Sequence, residues 1–276
     1  MKKKLLALVL GTLLVLVGCG KKEANAPAEN KSAEKEKETI TIGVSPVPHE
    51  EIINALKDKF EEANLDVKVV VFDDYVQPNI QTNSGDLDAN FFQHKPYLDT
   101  FNKEQGTDLV SIGAVHLEPL GAYSDKIKEL SELKEGGHII IPNDATNGAR
   151  ALLLLQDQGL IKLKDGVDIL ATEKDIVENP KNLEIVAMEA ANIPNVYKDA
   201  DLAIINSNYA LGAGLDPAKD ALVIESAENN PYANIVAVKK EREGEEKFKK
   251  LMEVLQSDAC KKYIEETYKN SIIPAF

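Results

Sequence analysis

Residues 88–97 (DANFFQHKPY) combine aromatic and polar side chains that suit contact with a small molecule. Phe91, Phe92 and Tyr97 lie here with His94, although the chain is only 5% aromatic, with seven phenylalanines and no tryptophan. The polar run QHKP is unlike the end of a strand buried on both faces. We therefore expect a loop or an element end whose rings and imidazole face a cleft; the alternative is a core aromatic pair followed by a turn.

Arg150 is the candidate for binding a negatively charged group. It is one of only two arginines in a lysine-rich chain, three residues after Asn147, in the first turn of a helix predicted over 148–158. Helix N-termini attract anions, and a guanidinium binds a carboxylate through two hydrogen bonds. An exposed helix charge is the alternative interpretation.

If the ligand of such a site is an amino acid, two asparagines are candidates for contacting its ammonium group. Asn206 ends a predicted strand, and Asn234 closes the segment NNPYAN. Their amide oxygens accept hydrogen bonds, but asparagines near turns most often serve the turn itself.

Signatures of catalysis and of metal binding are missing from the sequence. It contains no GxSxG, HExxH or P-loop motif. The four histidines are widely spaced, without the short spacing of zinc sites. We therefore predict a protein that is not an enzyme and has no cofactor or metal. His116 remains an open candidate as a neighbour of the ligand site.

The N-terminus has the features of an export signal. Three lysines precede the apolar run 5–17, which is shorter than the roughly 20 residues needed to cross a bilayer. The sequence LVGC at 16–19 resembles the lipobox of bacterial lipoproteins. We predict a lipoprotein signal peptide over 1–18, lipidation of Cys19 and a disordered tether over 19–38, because that segment is rich in lysine and glutamate.

The predicted mature chain is strongly acidic. The whole sequence carries a net charge of −14, and removing the signal peptide would remove three lysines. Such a surface is a poor partner for nucleic acid. We expect a monomer at the extracytoplasmic face of the cell membrane, anchored by acyl chains. The remaining cysteine, Cys260, has no partner for a disulfide within the mature chain.

The rest of the chain alternates between strand and helix patterns. Strands are predicted over 39–44, 67–72, 109–115, 120–124, 138–142, 183–189, 202–206, 221–225 and 235–238, and helices over 50–63, 96–103, 126–133, 148–158 and 243–267. This order predicts an α/β protein with mostly parallel sheets. The length suits two lobes, a first over 39–122 plus 235–276 and a second over 123–234, with a hinge and an interlobe ligand cleft.

Several ordered stretches resemble the methionine-binding lipoproteins of ABC methionine importers, the MetQ or NlpA family. The matching stretches are DYVQPN (74–79), DANFFQHKPYL (88–98), IPNDATN (141–147), LLLLQ (152–156), GLIKLKDG (159–166), VENPKN (177–182) and PAKD (217–220). Together they span most of residues 39–237, whereas the C-terminal helix matches only in character.

The resemblance implies a two-lobed periplasmic-binding-protein-like fold and a function. It implies a substrate-binding protein that delivers L-methionine to a permease driven by an ATPase. It also implies site residues: a side-chain pocket formed by Tyr75, Phe92, His94 and Tyr97, a carboxylate clamp at Arg150, and amides at Asn206 and Asn234.

Two alternatives remain open at the level of the sequence. The ligand of the same site could be another apolar amino acid or a short peptide. A surface-anchored hydrolase or adhesin is the alternative from a different class, and a hydrolase would need a nucleophile and a base that converge in the fold.

Overall fold

The computed structural model describes residues 37–276. The predicted signal peptide, the lipidation site Cys19 and the tether up to residue 36 lie outside these residues. The predicted tether extended to Glu38, but Glu38 is already part of the first strand and is paired with Leu65.

Thirteen strands occur among the described residues. They are β1 (Glu38–Val44), β2 (Leu65–Val71), β3 (Ala89–His94), β4 (Leu109–Leu117), β5 (Gly121–Tyr123), β6 (His138–Pro142), β7 (Lys162–Leu163), β8 (Ile176–Glu178), β9 (Glu184–Met188), β10 (Leu202–Ile205), β11 (Val223–Ile224), β12 (Ala233–Lys239) and β13 (Ile273–Pro274).

Ten α-helices occur in the same part of the chain. They are α1 (Glu51–Ala55), α2 (Lys57–Glu62), α3 (Gln77–Ser84), α4 (Lys95–Gln105), α5 (Ala145–Asp157), α6 (Ile193–Val196), α7 (Ser207–Gly212), α8 (Pro217–Asp220), α9 (Glu246–Leu255) and α10 (Asp258–Tyr268). Short 3-10 turns and one π-helical turn (Pro46–Glu50) connect some of these elements.

The strands form two main sheets, each with its own core. The first sheet has the order β13-β4-β12-β3-β1-β2, and the second has the order β11-β5-β10-β6-β9. Buried residues of the first sheet pack against α1, α2, α9 and α10. Those of the second sheet pack against α5 on one face and α6 and α7 on the other. This is the expected two-lobed α/β architecture. The boundaries proposed from the sequence remain a prediction.

Both sheets are mixed, so the prediction of mostly parallel sheets was wrong. In the first sheet β1 pairs in parallel with β2 and β3, but β12 is antiparallel to both β3 and β4. The reason is the path of the chain. It leaves the first sheet after β4, builds the second sheet, and returns as β12 between two strands already present. That path places Asn234 of β12 opposite His94 on one side and His116 on the other.

Residues 88–97 also differ from the expectation. β3 is buried along its whole length and continues directly into α4, so a strand buried on both faces does end in QHKP. Its polar residues are accommodated by buried hydrogen bonds: Asn79 donates to Gln93 at 2.9 Å, and Asn90 donates to Thr82 at 2.8 Å. His94 accepts from the backbone N–H of Tyr97 at 3.1 Å and so caps α4.

Two predicted helices differ from the expectation. In the region 126–133 only Leu130–Glu132 is helical, and it follows a serine turn in which Ser124 Oγ accepts from the N–H groups of residues 126 and 127. The predicted helix over 243–267 divides into α9 and α10, and Ser257 caps the second of them. None of the helices in residues 37–276 is long and apolar enough to span a membrane.

Candidate ligand-binding site

A small cavity lies between residues of the two lobes. Its wall is formed by Tyr75, Phe92, Gln93, His94, Tyr97, Glu118, Asn147, Arg150, Asn206, Ser207, Asn208 and Asn234. The structure therefore brings together all seven ligand-binding residues predicted from the sequence. A site built from both lobes is complete only when the lobes are in contact.

One side of this interlobe cavity is aromatic. The ring of Tyr75 lies 5.9 Å from those of Phe92 and Tyr97 and 5.0 Å from that of Tyr209, centroid to centroid. The Tyr75 hydroxyl donates to Asn208 Oδ1 at 2.6 Å, which connects the loop before α3 to helix α7. Tyr209 donates to the carbonyl of Asp73 at 2.9 Å. These rings form an apolar slot and also join the lobes.

The two adjacent phenylalanines divide as strand geometry requires. Phe91 is completely buried in the core of the first lobe, whereas Phe92 packs with Tyr75 at the cavity. Successive side chains of a strand point to opposite faces of the sheet. Alternation along β3 therefore decides which ring a ligand can contact.

Asn147 is the centre of the polar side. Its Oδ1 accepts from His94 Nε2 at 3.1 Å, Arg150 Nη1 at 3.2 Å and Asn206 Nδ2 at 3.0 Å. Its Nδ2 donates to both carboxylate oxygens of Asp144, each at 3.0 Å. Asp144 in turn caps helix α5, so the helix start fixes the orientation of this carboxamide.

Arg150 lies in α5, but not in its first turn as predicted, because the helix begins at Ala145. Its Nε and Nη2 atoms donate to the two oxygens of Glu225 at 3.1 and 2.6 Å. Nη2 also donates to the carbonyl of Glu118 at 3.0 Å, and the guanidinium carbon lies 4.2 Å from the ring centre of Tyr232. With Nη1 also bonded to Asn147, four of the five N–H donors are engaged. One N–H on Nη1 remains for a ligand.

Asn206 presents a buried acceptor at the cavity. Its Nδ2 donates to Asn147, and its Oδ1 is among the few buried side-chain atoms in residues 37–276 that have no hydrogen-bond partner. An unsatisfied buried polar atom is costly, about 1–3 kcal/mol. A donor on a bound molecule would remove this cost.

A second polar cluster lies behind Asn234. Its Oδ1 is 3.0 Å from His49 Nε2. The Nε2 atoms of His49 and His116 both lie near Glu118 Oε1, at 3.2 and 2.7 Å. The histidines are widely separated in the sequence, and only the positions of β4, β12 and the turn before α1 reveal that two of them converge on one carboxylate.

Burial keeps the imidazoles of this region neutral at neutral pH. It lowers the pKa of His94 to about 3, helped by the charge of Arg150, and it lowers the pKa of His116 to about 3. The pKa of His49 falls to about 4, again through burial, although Glu118 opposes the shift. Burial raises the pKa of Glu118, and His49 and Arg150 oppose that rise. His116 Nε2 therefore donates a hydrogen bond to Glu118 from a neutral ring. His49 Nε2, which is bonded to Asn234, lies near the same carboxylate as a neutral ring.

Sequence reasoning missed several residues of the site. Glu225 was considered only as the end of a predicted strand, Glu118 was given no role, and Asn147 served only to locate Arg150. Tyr209 offered one usable signal, since it is an aromatic residue three positions after a predicted strand end.

The model of the NlpA lipoprotein family matches residues 40–276. The chain belongs to the NlpA lipoprotein family.

Similarity in sequence and in structure to other proteins supports this membership of the NlpA family. The D-methionine-binding lipoprotein MetQ of Escherichia coli K12 is 45% identical over 247 residues, which cover 89% of this chain and 87% of that protein. A nutrient binding protein from Burkholderia cenocepacia bound to methionine has a TM-score of 0.83 and 45% identity, covering 86% of this chain and 100% of that one. An ABC transporter periplasmic substrate-binding protein from Coxiella burnetii has a TM-score of 0.82 and 40% identity, with 86% and 100% covered.

Because burial keeps these imidazoles neutral, we predict that the free energy of unfolding of this NlpA-family protein depends on pH. The unfolded chain binds a proton at each histidine near the ordinary pKa of about 6.5, whereas folded His94 does so only near 3. Protonation therefore favours the unfolded state. The contribution of His94 is complete above the unfolded pKa and is lost as pH falls towards the folded pKa, by about 1.4 kcal/mol per pH unit.

The raised pKa of Glu118 favours the folded state as the pH falls, and it does so equally in wild type and in His94→Gln. Comparing the two proteins therefore isolates the effect of His94. Urea unfolding between about pH 6 and about pH 4 should show the free energy of unfolding falling less steeply in the variant, by about 1 kcal/mol per pH unit. Parallel curves would show that His94 is not held neutral by burial.

Proposed function

We propose that this protein is the substrate-binding lipoprotein of an ABC importer and that it binds methionine in the interlobe cavity. The observation that carries the proposal is the composition of the cavity wall. An aromatic slot faces a buried arginine and a buried amide oxygen without a partner. A relative 45% identical in sequence is described as bound to methionine.

Each part of an amino acid has a counterpart in this wall. The carboxylate would accept from the remaining N–H of Arg150, so the contact is one hydrogen bond supported by full charge rather than a bidentate clamp. The ammonium would donate to Asn206 Oδ1. The thioether would lie among Tyr75, Phe92 and Tyr97, where each sulfur–aromatic contact contributes about 0.3–1.5 kcal/mol.

The groups on the cavity wall favour a single amino acid. The wall offers a guanidinium, a free amide acceptor and an aromatic slot, one for each part of such a ligand. Another apolar amino acid fits the same features, and the relatives' names favour methionine. We assign no catalytic role to these residues, in keeping with relatives named as binding proteins.

We further propose that an acyl anchor on Cys19 holds the protein at the extracytoplasmic face of the cell membrane. The lipobox-like sequence LVGC and the lipoprotein names of relatives support this location. From there the protein would deliver its ligand to the importer's permease.

Arg150→Ala should abolish measurable binding of L-methionine in calorimetric titration. Removing one partner of a buried, charge-assisted contact costs about 2–5 kcal/mol. Arg242→Ala is the matched control, since Arg242 contacts Asp88 and Glu245 and lies outside the cavity wall. The control should bind as the wild type does. Unchanged affinity in Arg150→Ala would contradict the assignment of the carboxylate contact.

Cys19→Ala should move the protein from the membrane fraction to the soluble fraction of fractionated cells. The acyl chains on this residue are the proposed attachment to the bilayer. Recovery of the variant with the membranes, in the same proportion as wild type, would refute the lipid anchor.

A further inference from the structure

A cluster of apolar side chains beside the cavity joins the two lobes. We call it the interlobe cluster, and its members are Tyr75, Phe92, Tyr97, Ala190 and Tyr209. The first three belong to segments around the first sheet, whereas Ala190 follows β9 and Tyr209 lies in α7, both in the second lobe. Neither Ala190 nor Tyr209 is part of the cavity wall. These two residues therefore connect the lobes at a place outside the ligand site.

Contacts within the interlobe cluster favour lobes that touch. The Tyr209 hydroxyl donates to the backbone carbonyl of Asp73 at 2.9 Å. The rings of Tyr75 and Tyr209 lie 5.0 Å apart, centroid to centroid, and Ala190 is only 3% exposed. Separating the lobes would break this hydrogen bond and expose apolar surface to water, and both changes cost free energy. The attraction belongs to the protein itself and needs no ligand.

The interlobe cluster also lies far from the points where the chain passes between the lobes. Residues 118–120 connect β4 to β5, and residues 225–232 connect β11 to β12. β11 and β5 form one edge of the second sheet, and β9 forms the opposite edge. Paired strands lie about 4.8 Å apart, so β9 is about 14 Å from β5. A rotation of the lobes about the two connections therefore moves Ala190 away from Tyr75.

Carboxylates from the two lobes oppose this attraction. Glu189 lies directly before Ala190 in the second lobe. Burial raises the pKa of Glu189, and the nearby charges of Asp144 and Asp74 raise it further. Asp144 caps α5 in the second lobe, whereas Asp74 lies in the loop after β2 in the first. Because like charges repel, bringing the lobes together has an electrostatic cost that the interlobe cluster must exceed.

We propose that the interlobe cluster is a latch that sets the fraction of molecules whose lobes are in contact before a ligand binds. This inference rests on the proposed function and deepens it. A ligand enclosed by both lobes binds only the contacting arrangement, so its apparent dissociation constant is the intrinsic value divided by the contacting fraction. A change in the latch therefore alters the affinity for every ligand by the same factor.

The first test measures the distance between the lobes without any ligand. Ile80→Cys in α3 and Val177→Cys in β8 place one thiol on each lobe, at positions that are 43% and 57% exposed. The full chain carries Cys19→Ala, which removes the proposed lipid anchor. Cys260 is buried and its pKa is raised to about 12, so it remains thiol and takes no label. Spin labels on the two new cysteines then report lobe separation in pulsed electron spin resonance.

Tyr209→Phe removes the hydroxyl that donates to Asp73 and keeps the ring. The ratio of separated to contacting lobes should rise by about fivefold, the factor that corresponds to one hydrogen bond. Tyr197→Phe is the matched control, since Tyr197 lies in the second lobe outside both the cavity wall and the interlobe cluster. The control should give the wild-type distances.

The second test measures affinities for L-methionine, L-selenomethionine and L-norleucine by calorimetric titration. Tyr209→Phe should weaken binding of all three by one common factor, because the substitution acts on the lobes and not on the ligand. Glu189→Gln should act in the opposite direction and tighten binding of all three by about twofold, since it removes a charge that opposes contact. Tyr197→Phe should again match the wild type.

Unchanged lobe distances in Tyr209→Phe would overturn the latch. Losses of affinity that differ among the three ligands would also overturn it, since they indicate a direct contact with the ligand. A Glu189→Gln protein that binds no more tightly would refute the opposing role of the carboxylates. If the wild type binds none of the ligands while Tyr209→Phe still shifts the lobe distances, the proposed function fails and the latch stands. The two failures are therefore distinguishable.

Discussion

The burial of Arg150 is the constraint on which the site depends. A guanidinium is always charged, and this one is only 3% exposed, so it requires a counter-charge and an acceptor for most of its N–H groups. Glu225 supplies the counter-charge and lies 75 positions away in the sequence. Asn147 supplies a further acceptor and connects Arg150 to His94 and Asn206. The pocket is therefore a single hydrogen-bonded unit.

The path of the chain explains how two lobes share this unit. β12 returns from the second sheet and inserts between β3 and β4, which brings Asn234 into line with His94 and His116. The ring of Tyr75 reaches across to Asn208 of α7. The groups proposed to bind the ligand thus come from both lobes, and a ligand that contacts both lobes would favour the arrangement in which they meet.

The sequence predicted the local features of this site and missed the distant ones. The separation of Phe91 from Phe92 follows from the period of a strand, which is a local property of residues 88–97. Arg150 was found because arginine is rare in this lysine-rich chain and because the residue lies near a predicted helix start. The approach of Glu225 to Arg150 depends on how β11 and α5 pack, which no local pattern encodes. The pairing of His116 with β12 likewise requires knowledge of sheet order, and the expectation of mostly parallel sheets failed for the same reason.

We infer that an amino acid occupies the interlobe cavity. The most direct measurement is mass spectrometry of the small molecules released by denaturing the protein after purification without added ligand. We expect methionine at close to one molecule per chain from wild type, and its loss from Arg150→Ala. Release of a peptide or of a molecule without an amino group from the wild-type protein, or equal release from the two proteins, would contradict it.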